Sequence, residues 1–130
     1  MRAGVLAPRC IFSDNMEQAM TRETDIFVIG TGPAGMTAAR TAKRKRPDLS
    51  VTAIRREPSN VPCALPYALS GAIAVDSYVK NEAALMGDIG IDVLDGEVAR
   101  ILPDGRKVVL KDGREYVYGK LIAAPGAEPV

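Results

Sequence analysis

The stretch "DIFVIGTGPAG", residues 25 to 35, leaves a chain few ways to fold. Its first half is a continuous apolar run closed by glycine, the pattern of a strand buried on both faces. Gly30, Gly32 and Gly35 then stand at the spacing G-x-G-x-x-G. "MTAARTAKRKRP" follows, with Ala38, Ala39 and Ala42 at helical spacing and a stop at Pro47. "SVTAIRRE" (50–57) is β-branched enough for a second strand. Strand, glycine turn, helix and strand in about 30 residues make a βαβ unit with a right-handed crossover. Gly30 permits the tight turn, Gly32 lets backbone approach a pyrophosphate, and Gly35 lets the helix pack close on the strand. Pro33 and Ala34 open the helix, Pro33 where its missing N–H costs nothing. The N–H groups of that turn, with the partial charge of the helix end, receive an anion. In this context the motif specifies dinucleotide binding.

The acidic residue expected at the end of the second strand is missing, and Arg55 and Arg56 stand there with Glu57 after them. Two readings follow. The arginines clamp the 2′-phosphate of NADP, or Glu57 reaches the adenosine ribose while an arginine stacks on adenine. The basic run Arg40, Lys43, Arg44, Lys45 and Arg46 also has two readings. It is a solvated helix end whose cations suit the macrodipole, or a landing strip for a phosphorylated substrate.

The totals exclude several classes. With 17 basic and 16 acidic residues the net charge is +1, without the basic excess of a nucleic-acid binder. Trp is absent and aromatics are 5% of the chain, too few for base-stacking platforms. Cys10 and Cys63 are the two cysteines and there is no histidine, so neither a Cys/His zinc site nor a disulfide framework is expected. No metal ligand set is proposed. "MRAGVLAPRC" is too short in apolar residues for a secretory signal, and no apolar run reaches the length of a membrane span. A cytoplasmic protein without membrane or nucleic-acid partners is the expectation. Residues 1–24 show no period and are read as a disordered extension, with Met1, Met16 and Met20 all available as starts.

Beyond the βαβ unit, "NEAALMGDIG" reads as a short helix leading into a strand, "IDVLDG" (91–96). "EVARIL", "KVVLK" and "EYVYG" then form a meander joined by the turn signals "PDGR" and "DGR". A separate apolar strand, "KLIAAPGAEP", closes the chain.

Between the second strand and that meander lies "NVPCALPYALSG" (60–71), which fixes Cys63 between Pro62 and Pro66 ahead of a helix-like run. GxGPAG, "CALPY", a meander and "LIAAPGAEP" together resemble the N-terminal part of the FAD-dependent pyridine nucleotide–disulfide oxidoreductases. Within them the similarity is to the single-cysteine branch of coenzyme A-disulfide reductases, NADH oxidases and persulfide or polysulfide reductases. It covers residues 25–130, with Cys63, Leu65, Pro66 and Tyr67 as its specific part. The resemblance implies an α/β, Rossmann-like FAD/NAD(P)-binding fold with a three-stranded antiparallel meander, and FAD as cofactor with NAD(P)H as electron donor. It implies that Cys63 sits over the flavin and passes electrons to a disulfide, persulfide or oxygen, the small-molecule substrates including CoA-linked ones. A helix following Cys63 would aim N–H groups at the sulfur and raise its thiolate fraction. A second cysteine at Pro66 or Ala68 would make a dithiol relay, and neither is present. A single redox cysteine exchanges with substrate or cycles through a sulfenic acid.

The resemblance also places Val98 at the adenine through its backbone, and Ala124 and Gly126 beside the flavin. Ala124-Pro125-Gly126 departs from the usual Ala-Thr-Gly of the family, losing a hydroxyl and an N–H. Family members continue into an NAD(P)H-binding domain, a second FAD segment and a dimerisation domain that makes them homodimers. None of these is among the 130 residues, so a truncated domain without turnover of its own is expected. The alternative is a non-catalytic NADP- or FAD-binding module in which Cys63 is structural.

Overall fold

The computed structural model describes residues 21–57, 65–74 and 86–127. Six strands form one mixed sheet, β1 (Thr21–Ile29), β2 (Val51–Arg55), β3 (Ile91–Asp95), β4 (Val98–Leu102), β5 (Lys107–Leu110) and β6 (Glu115–Ala123). Helix α1 spans Pro33–Lys45 and the short α2 spans Leu65–Leu69. The strand order is β3-β2-β1-β6-β5-β4. β3, β2, β1 and β6 run parallel, and β4, β5 and β6 form an antiparallel meander. The expected Rossmann-like α/β fold with its meander is therefore present.

Two boundaries differ from the sequence reading. Thr21–Thr24 belong to β1 and not to a disordered extension, because they pair in register with Glu115–Tyr118. These residues are polar, so no apolar run announces them. Thr24 is buried all the same, and the Thr52 hydroxyl donates to its Oγ1 at 3.1 Å. The disorder expected for residues 1–20, and the choice among Met1, Met16 and Met20, lie outside the described residues. Second, "EYVYG" and "KLIA" are one strand, β6. Gly119 between them is not a turn. A Cβ there would lie 2.8 Å from the Asp25 carbonyl oxygen, so the glycine admits the close approach of β1. The short helix expected at 81–90 falls partly on residues that are not described.

Alternation along β1 splits the core into two faces. Val28 joins Val51, Ala53, Ile91, Met86 and the inner stripe of α1, Met36 and Ala39. Phe27 joins Ile54, Val108, Leu110, Tyr116 and Tyr118 on the other face, with the Phe27 and Tyr116 rings 5.2 Å apart. The meander thus closes over one side of the parallel strands and α1 over the other. Full burial of each large apolar side chain stabilises by about 1.5–3 kcal/mol, so both faces fix the carboxyl ends of β1 and β2 firmly. Among the described residues no helix is long and apolar enough to cross a membrane.

Candidate dinucleotide site

The chain leaves β1 for β2 through α1, while β1's other neighbour, β6, comes from the far end of the sequence. The carboxyl ends of β1, β2 and β6 therefore open onto a topological switch point, where α/β sheets bind ligands. A cleft of about 580 Å³ lies there, within the range of small-molecule sites. Its walls include Gly30, Gly32, Arg55, Arg56, Val98, Ala124 and Gly126 from the sequence reading. The Gly30 N–H donates to the Ile54 carbonyl at 2.9 Å, and the Ala124 N–H to the Ile29 carbonyl at 2.8 Å, which lock the three strand ends together.

The three glycines meet three different surroundings. Gly30 has φ +95°, and a Cβ there would overlap the Ala124 carbonyl oxygen. A Cβ at Gly35 would overlap the Gly30 carbonyl oxygen, so this glycine sets the distance between α1 and the turn. At Gly32 a Cβ would meet nothing within 4 Å. Gly32 is the N-cap of α1, with no side-chain cap hydrogen bond, and Pro33 follows it in the first turn. Pro33 and Ala34 are exposed beside the cleft and are not among its walls. No acidic residue stands in the first turn of α1. The space beside Gly32 is thus open and the first turn of α1 brings no carboxylate of its own, an arrangement that fits a diphosphate.

Charge is distributed unevenly around the adjoining rim. Arg55, whose side chain is 11% exposed, donates from Nε to Asp95 Oδ1 at 2.7 Å. Arg56 is 58% exposed, with a guanidinium nitrogen 4.0 Å from Glu57. Glu97 bonds Lys111 at 2.8 Å, and that hydrogen bond holds its carboxyl below the usual range. The two arginines that the sequence leaves equivalent are therefore separated by the structure. Glu57 and Glu97 both line the cleft. Glu97, Asp95 and Lys111 were not singled out by sequence. The one signal was a glycine flanked by two acids, "DGE", at the exit of β3.

The basic run lies on the second half of α1, from about 8 Å (Arg40) to about 16 Å (Arg46) from Gly35 by helical rise. Lys43 Nζ donates to the Leu49 carbonyl at 2.7 Å, and Arg46 pairs with Asp48 at 2.7 Å, so these two close the helix. Cys63 lies outside the described residues. Leu65, Pro66 and Tyr67 of its motif belong to α2, where Tyr67 is 63% exposed and no residue is buried. Among the described residues there is no cluster of three or more His, Cys, Asp or Glu arranged for a metal.

Comparison with known proteins bears on what this cleft holds. Residues 24–130 match the model of the pyridine nucleotide-disulphide oxidoreductases. The chain belongs to that family. Its members use FAD, with NAD(P)H as electron donor. The chain is 35% identical over 113 residues to an NADH oxidase of Methanocaldococcus jannaschii, a match covering 79% of this chain and 25% of that protein. It is 34% identical over 111 residues to an NAD(P)H coenzyme A polysulfide/persulfide reductase of Pyrococcus horikoshii, covering 80% and 24%. The structure of an NAD-dependent persulfide reductase from A. fulgidus superposes with a TM-score of 0.70 at 32% identity, covering 82% of this chain and 22% of that one. The chain spans about a quarter of the length of these relatives.

Proposed function

We propose that these residues form the ADP-binding and thiol-bearing portion of an FAD-dependent NAD(P)H oxidoreductase that reduces a disulfide, a persulfide or oxygen. The observation that carries the proposal is the open space over Gly32 at an uncapped helix N-terminus, set in the cleft at the strand ends. The α1 N–H groups hold the diphosphate of FAD, the Val98 backbone meets the adenine, and Ala124 and Gly126 lie toward the flavin. When bound, FAD supplies the two-electron link between NAD(P)H and sulfur.

Cys63 is the redox thiol of this reading. Its thiolate attacks one sulfur of a substrate disulfide, forming a mixed disulfide and expelling the other sulfur as a thiolate. Two electrons from NAD(P)H return Cys63 to the thiolate and release the second half of the substrate as a thiol. The substrates are small sulfur compounds, CoA-linked ones among them, a reading supported by the likeness to a coenzyme A polysulfide/persulfide reductase. The cytoplasm is the proposed location and a homodimer the proposed assembly. Turnover requires more than these 130 residues, because the relatives are about four times as long.

The test is the visible spectrum of the protein with FAD, oxidised and reduced, for wild type and Cys63→Ser. A bound flavin with a long-wavelength thiolate-to-flavin band lost in Cys63→Ser is expected. A bound flavin with no such band in wild type would refute the role of Cys63. Failure to take up FAD would refute the cofactor assignment itself.

A further inference from the structure

β3 and β4 stand at opposite ends of the strand order, yet Gly96 and Glu97 alone join them. Six strands lying flat would set those two about 24 Å apart. The link from Asp95 to Val98 reaches about 11 Å at most. The sheet therefore rolls over its Phe27 face until its two outer strands meet at this seam. The seam also walls the cleft, through Gly96, Glu97 and Val98. The ladder beyond it cannot place it firmly, because Val98 pairs with Leu110 and the register then shifts between Val98 and Arg100.

What holds the seam comes largely from the turn between β5 and β6. The Lys111 N–H donates to the Glu97 carbonyl at 2.8 Å, while the Gly96 N–H donates back to the Arg55 carbonyl at 2.9 Å. The Lys111 and Glu97 side chains also pair, but both are exposed and a pair of that kind contributes little. Arg114 reaches β3 itself. Its Nη2 donates to the Asp95 carbonyl at 2.9 Å, and a Cβ on Gly96 would stand 3.2 Å from that nitrogen. Asp112 aims the guanidinium, accepting from Nε at 2.8 Å, from Nη2 at 2.7 Å and from the Arg114 N–H at 3.0 Å. The planar fork thus serves a carboxylate and a carbonyl together, which an ammonium does less well. Arg114 is not itself a wall of the cleft.

Building on the dinucleotide assignment above, we infer that Arg114 is a positioning residue for the cleft: from outside its walls, through the Asp95 carbonyl, it fixes the Gly96–Val98 seam where the base of the ligand is met. A role in stability alone would leave the choice between bases untouched, whereas a displaced seam blurs it.

The test uses ADP and IDP, which carry the same diphosphate and differ at one edge of the base. Each is titrated calorimetrically into wild type, Arg114→Gln, Arg114→Lys and Asp112→Asn, with a thermal melt of every sample. Wild type is expected to bind ADP about tenfold more tightly than IDP, the factor that accompanies one hydrogen bond of about 1.4 kcal/mol. Arg114→Gln should bring the two affinities within about twofold, chiefly by loss of ADP affinity. Arg114→Lys, which keeps the charge without the fork, should fall between them. Asp112→Asn should move the ratio in the same direction, and it decides the matter if the melt shows Arg114→Gln unfolded. A ratio unmoved in the folded variants, or no preference in wild type, would overturn the inference and leave the diphosphate site standing. Binding of neither nucleotide to wild type would overturn the dinucleotide assignment and the inference with it.

Discussion

Replacing Gly32 by alanine should separate binding from folding. At this position φ is −65° and ψ 179°, values open to any residue, and the added Cβ meets no atom within 4 Å. Alanine is a poorer N-cap than glycine by about 0.5–1 kcal/mol. It recovers about 0.4–1 kcal/mol by restricting the unfolded chain. The two nearly cancel, leaving stability within about 0.5 kcal/mol of wild type, or within about 4 °C in Tm. The ligand sees a different change. The methyl group stands in the space where a diphosphate meets the helix N–H groups, and losing one charge-assisted contact there costs roughly 1.5–3 kcal/mol. ADP affinity should therefore fall about 10- to 150-fold. Calorimetric titration with ADP and a thermal melt of the same sample check both halves. A variant that melts about 10 °C lower, or one that binds ADP as wild type does, would refute the assignment of this surface.

The neighbouring glycines should behave in the opposite way. Gly35→Ala drives a Cβ into the Gly30 carbonyl. Destabilisation of about 1–3 kcal/mol in urea melts is expected, despite the better helix propensity of alanine. Gly30→Ala adds a left-handed φ to an overlap with the Ala124 carbonyl, so its urea midpoint should lie below that of Gly35→Ala. Asp25 accepts hydrogen bonds from the Ser50 hydroxyl at 2.7 Å and the Ser50 N–H at 2.8 Å, which hold its carboxyl below the usual range. A depressed folded-state value contributes stability above the unfolded value that is lost as pH falls through the folded one. Ser50→Ala should accordingly flatten the urea midpoint's decline below about pH 4.

The parts of the fold that were legible in sequence are those where one local rule dominates. "DIFVIG", the three glycines and Pro33 each satisfy a separate requirement of a strand, a turn and a helix start, and the structure uses all of them. The beginning of β1 was not legible because Thr21–Thr24 are polar and are held by a partner strand about 90 residues away. Gly119 misled for a related reason, since a glycine that admits a neighbouring backbone looks the same in sequence as one that makes a turn. Within the site, Arg55 and Arg56 are adjacent and chemically identical. Only the register of β2 against β3 reveals that Asp95 engages the first of them. Glu97 likewise reaches the cleft through the tertiary path of the β3–β4 turn, which no periodicity in the chain encodes.

The cleft at the ends of β1, β2 and β6 is the proposed seat of the ADP half of FAD. Titration of the chain with FAD, followed by flavin fluorescence and repeated with excess ADP and with Gly32→Ala, tests it most directly. Saturable one-site binding is expected, displaced by ADP and abolished or weakened at least about tenfold by Gly32→Ala. Absence of binding, or binding indifferent to both ADP and the substitution, would contradict it.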